Sequence, residues 1–145
     1  MTNPTALKFG YPRTKVAETD HWLVLVRPHQ PTFGSLVLVC KEPVQAFADV
    51  SLEGFADLKA VISGVEAMLA DVVGFARMNY LMLMMVDRDV HFHAIPRYEG
   101  AREHDGRSYP DAGWPGPPAL ASTVELDEDA AAQFAGALAQ QWAGS

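Results

Sequence analysis

Residues 89–98 read Asp89-Val90-His91-Phe92-His93-Ala94-Ile95-Pro96-Arg97-Tyr98, DVHFHAIPRY, and this stretch decides the fold. Side chains alternate along a strand, so Asp89, His91 and His93 share one side while Val90, Phe92 and Ala94 share the other. A polar row thus backs an apolar one over a strand predicted at Val90–Arg97. Two histidines at this spacing fit a solvated sheet face as well as a working site, and the alternation alone leaves both open. Upstream, Asn79–Val86 (NYLMLMMV) is apolar throughout and predicts a central strand. The Asp87-Arg88-Asp89 link is short enough only for a hairpin, and Met82, Met84 and Met85 read as core filler.

Working outward, His21–Val26 and Ser35–Lys41 are β-branched and leucine-rich runs, separated by the punctuated segment Arg27–Gly34, and predict an antiparallel pair. Apolar residues at Phe55, Leu58, Ile62, Val65, Leu69 and Val72 follow helical spacing and predict an amphipathic helix over Leu52–Val73, with a cap at Asp49–Ser51 and Glu53 in its first turn. Gly64 inside it costs about 1 kcal/mol relative to alanine. Periodicity vanishes from Tyr98 to about Ser122, where six of the nine residues Pro110–Pro118 are proline or glycine; a packed loop and a solvated connector both fit, and Trp114 favours packing. A C-terminal helix carries Phe134, Leu138 and Trp142 on one face. The expected class is α+β: an antiparallel sheet of about five strands, one long helix on it and a C-terminal helix. The expected organisation is one domain over 1–145, with its core at about 14–100, a loop at 101–122 and the last helix at 127–143.

Composition narrows the function. The 145 residues, 49% hydrophobic and 20% charged, suit one folded domain. The longest apolar run, Tyr80–Val86, is far below the roughly 20 residues of a membrane helix, and Met1–Tyr11 has no signal-peptide core, so a cytoplasmic protein is expected. Eleven Lys+Arg against 18 Asp+Glu give a net charge of −7, which repels nucleic-acid polymers and anionic membranes. The lone Cys40 cannot form an internal disulfide and reads as a buried thiol. His21, His29 and His104 read as solvated or capping residues, and Asn79 as a turn residue.

The segment DVHFHAIPRY resembles the motif of the histidine triad (HIT) superfamily, His-φ-His-φ-His-φ-φ, in the subgroup whose motif continues to Pro-Arg. Trp22–Val50 resembles that family's first hairpin, and the likeness covers about Thr14–Gly100. The resemblance implies that His91 is the nucleophile and His93 the phosphate contact. His91 would attack the α-phosphate of a nucleotide and form a nucleotidyl-histidine, which water or another acceptor discharges. A neutral imidazole suits attack, and a protonated His93 would offset phosphate charge. No cofactor or metal is required. Asp89 stands where the family has its first histidine, Ser35 where it has a histidine after glycine, and Arg27 near its ribose-binding Asn or Asp. Guanidinium suits a phosphate or carboxylate. These three, with His93 and Arg97, are the expected substrate-binding residues, although Arg97 alone reads slightly better as a salt-bridge partner. The family's glycine-rich loop would be shortened here to Asp87-Arg88-Asp89. The implied activity is a nucleotide hydrolase or nucleotidyl transferase working on dinucleoside polyphosphates or phosphoramidates, with a homodimer as the assembly. A non-catalytic nucleotide-binding module is the alternative. A metal held by Asp89, His91 and His93 is less favoured, because an extended strand spreads the outer pair about 13 Å apart.

Overall fold

The structure, a computed structural model, describes residues 3–143, so the outermost residues of the expected 1–145 domain lie outside it. Chain order is α1 (Pro4–Lys8), β1 (Lys15–Glu18), β2 (Trp22–Val26), β3 (His29–Gln30), β4 (Leu36–Cys40), α2 (Leu52–Val72), β5 (Arg77–Leu81), β6 (His91–Arg97), β7 (Ala101–His104), β8 (Arg107–Pro110), β9 (Val124–Glu125) and α3 (Glu128–Ala143). Five strands form an antiparallel sheet in the order β1-β2-β4-β6-β5, as the α+β reading expects. The register sets Leu25 beside Val37 and Val37 beside His93, so these three share a row across the middle of the sheet.

Each central strand buries both faces. On one, Trp22, Val24, Val26, Leu36, Leu38 and Ala94 meet Leu58, Val61, Val65 and Leu69 of α2 and Phe134 and Leu138 of α3. Helix α2 starts where the Ser51 hydroxyl accepts from the Gly54 amide at 2.9 Å, and the Trp22 indole N–H donates to the Gly54 carbonyl at 2.8 Å. Gly64 is more than a tolerated weak point: the Trp142 ring of α3 occupies the space a Cβ would need, which lets the two helices close on each other. Gly34, at φ +88°, turns the chain into β4 under Val73, whose side chain would stand 2.8 Å from a Cβ there.

The opposite face carries Leu23, Leu25, Val37 and Val39 beneath Ala6, Phe9 and Tyr11 of the N-terminal segment. This strap is the largest feature missing from the sequence reading. Its helix α1 is capped by the Asn3 carboxamide oxygen, which accepts from the Ala6 amide at 2.8 Å, with Pro4 at the first helical position.

Three further expectations are corrected. The strand predicted at Asn79–Val86 ends at Leu81 and lies at the sheet edge, because the apolar residues after it point into a loop. Residues 82–90 form that loop, so Asp87–Asp89 is no tight hairpin and the connection is not shortened. Met85 is 86% exposed and fills no core, whereas Met82 and Met84 do pack against it. The aperiodic stretch contains the β7–β8 hairpin, turned at Asp105 (φ 50°) and Gly106 (φ 77°), with Tyr109 reaching the main core. Among the described residues no helix is long and apolar enough to cross a membrane.

Candidate active site

The two histidines of β6 sit on the sheet face covered by the strap. His91 is 2% exposed and His93 8%, so the solvated-face reading of the polar row fails. Their rings meet edge to face at 5.2 Å, and Phe9 of the strap lies 6.4 Å from His91 and 5.9 Å from His93, centroid to centroid.

His91 is fixed by the backbone. Its Nδ1 lies 2.7 Å from the Asp89 carbonyl oxygen. A carbonyl only accepts, so Nδ1 carries the proton, and the tautomer assigned from this partner leaves the Nε2 lone pair as the ring's available nucleophile. Nε2 has no hydrogen-bond partner among the described residues. The residue at position 89 therefore orients the imidazole through its main chain. Its carboxylate turns the other way and accepts from the Thr5 hydroxyl at 2.9 Å and the Thr5 amide at 3.2 Å. Asp89, expected to contact a substrate, is tied to the strap through Oδ2.

His93 Nδ1 is buried with no hydrogen-bond partner among the described residues. Burial pushes its pKa down to about 4, and the charge of Arg27 adds to the effect. A protonated His93 near neutral pH, expected from the resemblance, is disfavoured here because an imidazolium would be desolvated beside a guanidinium.

Arg27 follows Val26 at the end of β2, and its amide donates to the Ser35 carbonyl at 3.1 Å, which extends the ladder by one step. Since Val26 faces α2, alternation sends Arg27 to the histidine face. Its Nε and Nη1 are buried without hydrogen-bond partners among the described residues, and burial lowers its pKa.

The remaining two expected residues are committed elsewhere. The Ser35 hydroxyl donates to the Thr32 carbonyl at 2.8 Å and accepts from the Thr32 amide at 3.2 Å, closing the turn before β4. Arg97 donates twice to Asp111, at 2.7 and 3.1 Å, and also to Asn79 and the Gly116 carbonyl. It pins the Pro/Gly-rich segment, and Asn79 is a partner in that pinning. The structure thus gathers His91, His93 and Arg27, and engages Asp89, Ser35 and Arg97 in hydrogen bonds within the fold. Sequence reasoning missed Thr5, Lys8 and Phe9, although Asn3-Pro4 was a helix-start signal. Lys8 Nζ lies 3.0 Å from Asp87, closing the strap onto the 82–90 loop. A groove of about 430 Å³ follows that seam, lined by Thr5, Lys8, Asp87 and Asp89 among others. No three His, Cys, Asp or Glu side chains are grouped as a metal ion would require among the described residues.

No protein-family model matches the chain, and no curated protein matches it. Solved structures do. A histidine triad protein from Bradyrhizobium japonicum superposes with a TM-score of 0.72 at 20% identity, over 97% of this chain and 96% of that one. This is the histidine triad (HIT) fold. A diadenosine triphosphate hydrolase from Plasmodium falciparum matches with a TM-score of 0.68 at 12% identity, over 92% of this chain and 79% of that one. The C. elegans NitFhit protein matches at 0.66 and 19% identity over 89% of this chain, which spans 27% of that protein's length. In this chain two histidines of β6 and the buried Nε and Nη1 of Arg27 lie on one face of that fold.

Proposed function

We propose that this HIT-fold chain is a nucleotide hydrolase or nucleotidyl transferase with His91 as its nucleophile. The observation that carries the reading is the bond from His91 Nδ1 to the Asp89 carbonyl, which in the neutral ring leaves the lone pair on Nε2, in a buried site on the face that carries Arg27. The Nε2 lone pair forms an N–P bond to the α-phosphorus. The bond from phosphorus to the leaving group breaks, and its electron pair departs with that group. Water then forms an O–P bond, the N–P bond breaks, its pair returns to Nε2, and a proton passes to solvent. The sum is substrate plus water giving a nucleoside monophosphate and the leaving group. Dinucleoside polyphosphates and nucleoside phosphoramidates are the substrate classes that fit; the diadenosine triphosphate hydrolase from Plasmodium falciparum, which shares the fold, supports the first of them.

The strap over both rings favours one second reading, a nucleotide-binding module without turnover. Incubation with both substrate classes separates the two. Product from wild type and none from His91→Asn supports the enzyme, tight binding without product supports the module, and equal turnover by both proteins removes the His91 assignment. A homodimer belongs to the same proposal. The sheet ends at β5, and Leu83, Met85 and Val86 stand exposed just beyond it, an edge a second copy would cover. A cytoplasmic location is kept as part of this reading.

A further inference from the structure

A transferring phosphoryl group needs positive charge beside it. Most cations around the histidines are already engaged. Lys8 is paired with Asp87, and Arg97 is spent on Asp111, Asn79 and the Gly116 carbonyl. Arg13 is paired with Asp129, and Arg88 lies exposed on the 82–90 loop.

Arg27 is different. Its Nε and Nη1 are buried and have no hydrogen-bond partner among the described residues, on the sheet face that holds His91 and His93. Alternation from Val26, which faces α2, turns its side chain toward the two rings, and its charge bears on His93. His93 in turn offers a buried Nδ1 with no hydrogen-bond partner among the described residues. Unsatisfied guanidinium donors in a water-poor pocket are costly to the fold unless an anion completes them, and phosphate oxygens match the guanidinium fork in geometry and charge. We propose that Arg27, in place of a protonated His93, is the cationic ligand of the reacting phosphoryl group. The inference rests on the reading of His91 as nucleophile: Arg27 offsets the charge on the non-bridging oxygens while the N–P bond forms and the leaving-group bond breaks. His93 then serves as a neutral hydrogen-bonding neighbour. A fixed cation here selects ligands that carry phosphate over the bare nucleoside.

The test is calorimetric titration of adenosine monophosphate and of adenosine into wild type, Arg27→Gln, Arg27→Lys and His93→Gln, with thermal melting to confirm folding. Arg27→Gln should lose about 10- to 100-fold in affinity for the monophosphate and none for adenosine. Arg27→Lys should recover part of that loss, and His93→Gln should lose less affinity than Arg27→Gln. If the monophosphate binds wild type and Arg27→Gln equally, or if His93→Gln loses more than Arg27→Gln, the assignment of Arg27 is overturned while the nucleotide site stands. If wild type itself does not prefer the monophosphate, the site reading and the Arg27 assignment fall together.

Discussion

Replacing Arg27 by methionine should make the protein more stable and less able to hold phosphate. Methionine follows the apolar stem of arginine and ends where the guanidinium begins, so two buried nitrogens, Nε and Nη1, that have no partner among the described residues are removed. An unsatisfied buried polar group costs about 1–3 kcal/mol. Part of that penalty is relieved by breathing of the strap, so a net gain of about 1–3 kcal/mol is expected for the pair. For a chain of 145 residues this raises Tm by roughly 3–9 °C. Urea unfolding with matched m-values gives the free energy, and calorimetric melting gives the shift. A loss of more than about 1 kcal/mol on Arg27→Met would refute the reasoning, since it would mean that the guanidinium is satisfied within the protein and is not held in reserve for an anion.

The other predictions follow from the same geometry. Because His93 is held near pKa 4 when folded and titrates near 6.5 when unfolded, the unfolded chain binds more protons between those values; stability should fall by about 2–3 kcal/mol as pH drops from 6.5 to 4, and His93→Gln should flatten that part of the curve in urea titrations. Asp111→Ala leaves the buried Arg97 without its carboxylate and should cost about 3–5 kcal/mol in the same assay, whereas the exposed pair Arg13–Asp129 should tolerate Asp129→Ala with no resolvable loss. Thr5→Val removes the hydroxyl bond to Asp89 and should loosen the strap by about 1 kcal/mol, seen as faster amide exchange over residues 4–9 and a higher association rate for nucleotide; unchanged exchange would mean that the strap is held by its apolar contacts alone.

Much of this molecule was legible before its coordinates. The β2–β4 pair, α2 and α3 announce themselves by periodicity, and each is found within a residue or two of its expected ends. His91 and His93 were legible as a pair because alternation on a strand is local. What local pattern does not encode is which surface covers a face. The strap closes on β6 through Thr5 and Asp89, 84 positions apart, and nothing near either residue announces the other. The apolar run ending at Val86 misled for a related reason: hydrophobicity marks a need for a partner without saying that this chain supplies it, and Met85 and Val86 stay exposed. The β7–β8 hairpin was readable at Asp105-Gly106, a dipeptide suited to two consecutive positive φ angles, and was obscured by the proline-rich stretch that follows. At the site, Asp89 was assigned by its side chain, but its carbonyl does the orienting, and a main-chain role leaves no signature in residue type.

The central claim is that Nε2 of His91 forms a bond to phosphorus. Rapid acid quenching of the protein during reaction with a nucleoside phosphoramidate or a dinucleoside polyphosphate, followed by peptide mass spectrometry, tests it directly. The account predicts a nucleotidyl mass on the peptide containing His91, absent in His91→Asn. Turnover without that adduct, or an adduct that persists in His91→Asn, would contradict it.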